Sequence, residues 1–438
     1  MSYKASIYNN IYTKGEVVYM WNSYSNALVK MDVPTYEKFQ SKALEPEIGM
    51  QLLNNGILVE EDRNEYEEVK DRAAKFINSD TPDNLVLVIA PTLACNYKCV
   101  YCFENGRESY CSMNEKVVAQ VNEFVSRKVK SLNHLKKLSV TWFGGEPLLA
   151  FPVIKTLSDS FISLCEEQGI EYRANIITNG RHLTEDKAKA FSELNIKRVQ
   201  ISFDGTEDVY CQKKLATSED YRITVENIMS AARYLDNIIL RVNISDSNFG
   251  DAYKLVDEFL GEMGLAGKIK ISPACTIEGT SEERQKRYRE YVKEERKLRE
   301  YIKTKYGSDS YHVRIPCSRG AVCTLASKNN FVIGPEGELY KCEHHVGQKD
   351  LEVGHIKEVE VGHVEDFEVG SIEEVDNEKI KVYESICSSV AGDSKCKTCS
   401  VYPVCMGGCP NSYLEMKQNF DCESYRERAV KNAILPRI

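Results

Sequence analysis

The residues best suited to chemistry are three cysteines, Cys95, Cys99 and Cys102. Their spacing, C-x3-C-x2-C, places three thiolates on one short stretch. Thiolate is the ligand that iron–sulfur clusters take, so the trio can hold three irons of a [4Fe-4S] cube. The fourth iron then has no protein ligand. A structural site closes itself with four ligands, whereas a catalytic one keeps a position open for a substrate. A three-cysteine zinc site is the alternative that the same spacing allows.

More cysteines crowd toward the C-terminus. Cys317, Cys323 and Cys342 come first, then Cys396-x2-Cys399-x5-Cys405-x3-Cys409-Pro410, and finally Cys422. Eight thiolates fit two clusters of four ligands each. Structural zinc in a closed tetrahedron is the rival. Of the 16 cysteines this leaves Cys111, Cys165, Cys211, Cys275 and Cys387, with Cys165 and Cys275 read as core packing.

The elements that must position these residues are legible as pattern. Leu85–Ala90, Leu138–Phe143, Ala174–Thr178, Arg198–Phe203, Ile238–Ile244 and Lys268–Ser272 read as strands. Amphipathic stretches such as Asn114–Val129, Thr184–Leu194 and Asp251–Met263 alternate with them. Six β-α units imply a parallel sheet with right-handed crossovers. Polar residues collect at the strand ends: Gly144-Gly145-Glu146-Pro147 after the second strand, Asn179 after the third, Ser202 and Asp204 on the fourth, Arg241 and Asn243 on the fifth. The last two pairs stand two residues apart, so each pair shares one face of its strand. Glu282–Lys305 reads as a solvated outer helix.

Length and composition set limits. At 438 residues the chain exceeds one small core. Charged residues make up 28% and no apolar run approaches the roughly 20 residues of a membrane span, so no membrane partner is expected. The net charge of −9 argues against nucleic acid. Met1–Ser6 lacks an apolar signal core, which places the chain in the cytoplasm, where cysteines bind metal more often than they form disulfides.

Cys95, Cys99 and Cys102, with Tyr101 and Phe103 beside them, resemble the signature of the radical S-adenosylmethionine (SAM) enzymes, and Gly144–Pro147 resembles that family's GGEP motif. The resemblance implies a partial (β/α)6 TIM barrel over 85–312. It implies that SAM chelates the open iron and is cleaved by one electron to methionine and a 5'-deoxyadenosyl radical. It assigns SAM contacts to Tyr101, Gly144, Gly145, Glu146, Pro147, Asn179, Ser202, Asp204, Arg241 and Asn243. One departure stands out. Where many relatives carry His-Asp followed by Arg, this chain reads Val209-Tyr210-Cys211-Gln212-Lys213-Lys214, with Lys214 as the substitute for the arginine.

The C-terminal cysteines are similar to the SPASM extension of radical SAM peptide maturases, expected over 313–438. That similarity assigns Cys317, Cys323, Cys342 and Cys409 to one auxiliary cluster and Cys396, Cys399, Cys405 and Cys422 to another, making three [4Fe-4S] clusters in all. Glu343 follows Cys342 where related anaerobic sulfatase-maturating enzymes carry an aspartate resembling a general base. Residues 1–84, read as three strands (Ser6–Asn9, Glu16–Trp21, Ala27–Met31) with helices, resemble the winged-helix module that grips leader peptides. The function implied is maturation of a ribosomally made precursor peptide by a thioether crosslink, with a flavodoxin- or ferredoxin-type electron donor. The alternatives are formylglycine formation in a sulfatase, and carbon–carbon crosslinking or epimerisation of a peptide. Between the cysteine groups lies a period-eight repeat, Glu352–Ile356, Glu360–Val364 and Glu368–Ile372, read as rungs of a small ladder.

Overall fold

The N-terminal 79 residues form five short strands and three helices. Strands β1 (Tyr3–Ala5) and β5 (Leu58–Glu60) pair antiparallel, while β2 (Asn9–Lys14), β3 (Val17–Asn22) and β4 (Leu28–Asp32) make a separate antiparallel sheet in that order. Gly15, at φ +60°, supplies the left-handed residue of the β2–β3 turn. Of the segment Ser6–Asn9, expected as a strand, Ser6–Tyr8 instead connects β1 to β2 and only Asn9 is in a strand. Its polar groups bond to side chains: the Ser6 hydroxyl donates to Glu65 at 2.5 Å and accepts from Asn22 Nδ2 at 2.9 Å. Helix α1 (Val33–Gln40) starts on Asp32, whose carboxylate accepts from Thr35 N–H at 2.8 Å, with Pro34 in the first turn. Helices α2 (Pro46–Asn54) and α3 (Glu65–Ile77) follow.

This segment has a small core of its own, built on Val18, Met20, Met31, Leu52 and Ile57, but other apolar side chains are buried against the C-terminal segment. Trp21, fully buried, packs against Val401, Val404, Ala433 and Ile434. Tyr8 and Tyr66 pack against Tyr402 and Met406, with Cys396 and Cys399 at the margin. One compact unit therefore comprises Met1–Ser79, Val313–Ser327 and Lys381–Ile438. The structure, a computed structural model, describes residues 2–79, 81–104, 111–245, 248–276, 281–318, 323–356, 378–381, 394–409 and 422–438. Cys387, Pro410 and the second and third copies of the period-eight repeat lie outside the described residues.

The second unit comprises Asp80–His312 and Lys328–Ile380. Strands β6 (Asn84–Ile89), β7 (Lys137–Trp142), β8 (Glu171–Thr178), β9 (Ile196–Phe203), β10 (Ile238–Ile244) and β11 (Ile269–Cys275) lie side by side, all parallel. Chain order and spatial order coincide. Every crossover thus moves the same way round, as a partial (β/α)6 barrel requires and a doubly wound sheet does not. Beyond β6 the sheet continues through β12 (Phe331–Ile333), β13 (Glu338–Tyr340) and β14 (Gly354–His355), the last being the first copy of the repeat.

Helices α4 (Glu115–Ser131), α5 (Phe151–Gln168) and α6 (Glu185–Glu193) are crossovers, joined by α7 (Glu207–Lys214) and α8 (Ser218–Ala231) between β9 and β10. The expected helix Asp251–Met263 begins as α9 (Phe249–Val256) and widens into a π-helical turn over Asp257–Glu262. With the turn before it, α5 is long and apolar enough to cross a membrane, which corrects the view that no run approaches that length. Its apolar side chains have another use: Ile154, Leu157, Phe161 and Leu164 are buried in the β7–β8 crossover. Helix α10 (Ser281–Tyr306) is only partly solvated, since Tyr291, Leu298 and Ile302 are buried together with Glu295 and Arg299. Tyr311 donates to the Glu295 carboxylate.

Candidate active site

Strand β6 hands the chain to a loop that is tied down before the first cysteine. Thr92 is fully buried; its hydroxyl donates to Cys111 O at 3.0 Å and accepts from Ala94 N–H at 3.0 Å. The GGEP turn after β7 is bonded to this loop through backbone: Gly145 N–H donates to Thr92 O at 3.1 Å and Glu146 N–H to Ala94 O at 2.9 Å. A Cβ on Gly145 would stand 2.4 Å from Leu93 O and 2.5 Å from Ala94 O, and one on Gly144, at φ +118°, would stand 2.3 Å from Thr92 O. Both glycines are thus required by the close approach of two loops.

Glu146 is fully buried, with its carboxylate occupied inside the protein. It accepts from Leu148 N–H (2.9 Å), Thr178 Oγ1 (2.7 Å) and Asn179 N–H (2.7 Å). Burial pushes this carboxyl above its usual range, against the pull of the three donors. The side chain joins the ends of β7 and β8. Pro147 opens the short turn that follows. Asn179 reaches the cysteine loop: its Nδ2 donates to Asn96 Oδ1 at 2.9 Å and lies 3.9 Å from Cys95 Sγ.

Asp204, at the end of β9, is the hub of the site. Its carboxylate accepts from the Tyr101 hydroxyl, 2.8 Å from each oxygen, and from Asn243 Nδ2 at 3.0 Å. Lys214 Nζ lies 3.4 Å from Oδ2, with both side chains buried. Burial pulls the Lys214 ammonium down, but the charges of Asp204, Tyr101 and Cys99 more than reverse this and hold it above the lysine range. Asn248, also buried, donates to Asp204 O at 2.7 Å and Asn243 O at 3.0 Å. Nearer solvent, Ser202 and Arg241 sit opposite each other in the β9–β10 register. Arg241 is exposed and donates from Nε to Asn243 Oδ1 at 3.2 Å.

The three thiols of the loop lie within each other's field. Crowding around the sulfur, then the charges of Glu146, Cys99 and Cys102, push the Cys95 thiol up to about 12, against donation from Tyr97 N–H at 3.4 Å. Burial also raises Cys99; of the charges acting on it, Lys214 pulls it down more than Asp204 pushes it up. N–H donors aimed at sulfur, with three thiols on one loop, suit an iron–sulfur cluster. Among the described residues no three His, Cys, Asp or Glu side chains converge at metal-ligand distance.

Cys342 leads into the turn Glu343–His345. Glu343 is half-buried there, while His344 stacks on Phe103, one residue past Cys102, with ring centroids 4.1 Å apart. Phe103 lies parallel to Phe143, which precedes the GGEP turn, at 6.2 Å. This stack brings Cys342–His344 to the cysteine loop.

In the first unit, Cys396, Cys399 and Cys405 lie on one compact stretch, with Cys405 in the helix Tyr402–Cys405; Cys422 opens the helix Cys422–Ile434. Burial, then the charges of Cys399, Cys422 and Cys396, push the Cys405 thiol up to about 12. Arg426 Nη2 stands 3.8 Å from Cys399 Sγ. Cys317 and Cys409 are exposed and Cys323 is half-buried.

Asn248 and the Phe103–His344 stack were not singled out from sequence. An asparagine just before a helix after the fifth strand was the only local signal for Asn248. The stack joins residues 241 positions apart, so nothing local announced it.

Comparison with known proteins agrees with this geometry. Residues 89–259 match the radical SAM superfamily model. Enzymes of that superfamily use SAM and a [4Fe-4S] cluster. The chain is 25% identical over 379 residues to a cysteine-type anaerobic sulfatase-maturating enzyme of Clostridium novyi, covering 80% of this chain and 95% of that one. It is 25% identical over 169 residues to the radical SAM cyclopropyl synthase TigE of Paramaledivibacter caminithermalis, 35% of this chain and 34% of that protein. Among solved structures, native anSMEcpe with bound AdoMet and Cp18Cys peptide aligns with TM-score 0.59 at 17% identity, covering 81% of this chain and 98% of that one. Streptococcus suis SuiB bound to precursor peptide SuiA aligns with TM-score 0.50 at 14% identity, covering 95% and 98%. Residues 89–259 are a radical SAM domain, and the chain is a radical SAM enzyme.

Proposed function

We propose that the protein matures a ribosomally made precursor peptide by installing a thioether between a cysteine sulfur and a peptide carbon. The observation that carries this reading is the build of residues 1–79. Its strands lead to an edge, β5, that pairs only with β1 among the described residues. Beside that edge lies a groove of about 500 Å³ lined by Leu53, Leu58, Val59 and the charged Glu60, Asp62, Arg63 and Glu68. An extended peptide can add to such an edge through main-chain bonds. The likeness to SuiB spans 95% of the chain and that to anSMEcpe 81%, which favours a substrate-recruiting N-terminal segment.

Cys95, Cys99 and Cys102 would hold a [4Fe-4S] cluster; when bound with SAM it supplies a 5'-deoxyadenosyl radical that takes hydrogen from the peptide. Arg241, exposed midway along β10, would take the SAM carboxylate, with Ser202 opposite it for a ribose hydroxyl. Glu146, Asp204, Asn243 and Tyr101, whose polar groups bond to one another or to backbone, position the loops. Tyr101 and Asn179 hold the cysteine loop; Gly144, Gly145 and Pro147 shape the turn packed on it. Glu343, next to the Phe103–His344 stack, would accept the substrate proton. Cys396, Cys399, Cys405 and Cys422 form one auxiliary set, and Cys317, Cys323, Cys342 and Cys409 the other. A flavodoxin or ferredoxin would deliver the electron.

The sulfatase-maturase reading has its own support: the Clostridium novyi relative is covered over 95% of its length. Mass spectrometry separates the two. Reduced enzyme and SAM should remove two hydrogens from a cysteine-bearing precursor peptide, leaving a sulfur that resists alkylation. An aldehyde formed on a sulfatase-motif peptide, with the precursor unchanged, would reverse the ranking.

A further inference from the structure

Helix α7 ends on Lys214, and that end meets the cysteine loop at several residues. Val100 N–H, between Cys99 and Cys102, donates to Lys213 O at 3.0 Å. The Lys214 ammonium lies 5.7 Å from the ring centre of Tyr97, between Cys95 and Cys99, and 5.3 Å from that of Tyr210. Its carboxylate partner Asp204 receives the hydroxyl of Tyr101, the third loop residue held in this way. Leu215, left-handed at φ +53°, stops the helix so that Lys214 stays in the last turn, where the helix dipole favours a cation.

A buried ion pair is a poor source of stability by itself, because desolvation offsets the attraction. Lys214 is 1% exposed, and Asp204 is already bonded by Tyr101 and Asn243. The ammonium therefore does more than neutralise one carboxylate. It lies 3.4 Å from Asp204 and over the rings of Tyr97 and Tyr210, so a buried positive charge stands against the loop that carries the three cysteines. In surroundings of low polarity such a charge acts with little screening.

We propose that Lys214 is a positioning residue that seats the Cys95–Cys102 loop and supplies the fixed positive charge that eases reduction of the cluster held there. The inference rests on the reading that Cys95, Cys99 and Cys102 hold that cluster. Reduction adds one electron to an already anionic group, and a nearby cation lowers the cost. Net charge and hydrogen bonding around the sulfurs are among the factors that set such potentials.

The test is a redox titration of full-length, anaerobically reconstituted protein, following the electron paramagnetic resonance signal that responds to SAM. Lys214→Met should lower the one-electron reduction equilibrium at least tenfold, about 59 mV. Lys214→Arg, which keeps the charge, should stay within threefold of wild type. Lys214→Met with Asp204→Asn leaves no orphan charge and should fall between them, because removing the carboxylate offsets part of the lost positive charge. Iron and sulfide content are measured on each. A Lys214→Met protein with full iron and an unchanged potential overturns the inference while leaving the cluster reading intact. Loss of iron from all three variants also overturns it, making Lys214 a packing residue whose charge is not used, whereas loss from the Met-bearing variants alone supports the seating role. A wild-type protein with no SAM-responsive signal defeats the cluster reading itself, and the inference falls with it.

Discussion

The Tyr101 hydroxyl lies 2.8 Å from both carboxylate oxygens of Asp204, joining the loop between Cys99 and Cys102 to the end of β9. A residue that the resemblance assigned to SAM is thereby a tether. Tyr101→Phe keeps the ring and removes this bond. It should cost about 1.5–3 kcal/mol in urea denaturation, since the lost partner is a carboxylate. Unchanged stability would show that the tether does not hold the loop.

The contact between the GGEP turn and the cysteine loop predicts a sharper local effect. Gly145→Ala places a methyl within 2.4–2.5 Å of two carbonyl oxygens of the facing loop. The loops must part, at about 1–3 kcal/mol by analogy with overpacking. Far-ultraviolet circular dichroism should be preserved while the SAM-dependent spectral change is lost. A variant that responds to SAM as wild type does would mean that this approach is not needed.

Shared packing in the first unit makes residues 1–79 dependent on the C-terminal segment. Trp21→Ala should lower stability by about 3–5 kcal/mol, and the damage should extend to Val401 and Ala433, which pack on that ring. A fragment of residues 1–84 keeps only the small core of Val18, Met20, Met31, Leu52 and Ile57, so it should unfold at lower urea than the whole chain and gain stability when mixed with residues 381–438. A fragment whose stability is unchanged by residues 381–438 would contradict this.

Alkaline pH should destabilise the metal-free protein in a definite window. Burial raises Cys405 from 9.0 to about 12 and Tyr210 from 10.0 to about 12. The unfolded chain releases these protons from about pH 9 upward, while the folded chain holds them to about pH 12. The stabilisation is full below the unfolded values and is lost as pH rises through the folded ones. Urea midpoints should therefore fall across that interval. Flat midpoints between pH 9 and 12 would mean that these groups are solvated.

The barrel was legible because each strand buries apolar residues at alternate positions or in a run: three of the six expected strands match the observed ones to within one residue at each end, and the other three are two or three residues longer in the structure. Helices α7 and α8 were not, since their positions follow no clean apolar stripe and their value lies in Lys214 and Tyr210, which reach another loop. Sequence reading singled out Cys95, Cys99 and Cys102 and the polar residues at the strand ends, and the structure brings Tyr101, Glu146, Asn179, Asp204 and Asn243 around the cysteine loop. Their division of labour was not visible. Spacing places Glu146 and Asp204 at the strand ends, yet only three-dimensional packing shows their carboxylates bonded within the protein. The joint core of residues 1–79 and 381–438 was equally hidden, because Trp21 and Ile434 are 413 positions apart and no local pattern links them.

The central claim is that Cys95, Cys99 and Cys102 hold a cluster with one iron open to SAM. Electron paramagnetic resonance of the anaerobically reduced protein, recorded with and without SAM, tests it most directly. The account predicts that SAM alters the wild-type signal, and that Cys99→Ala abolishes this response while keeping iron at the other cysteine sets, about eight of the roughly twelve atoms expected for three cubes. A wild-type signal indifferent to SAM, or a response that survives Cys99→Ala, would contradict it.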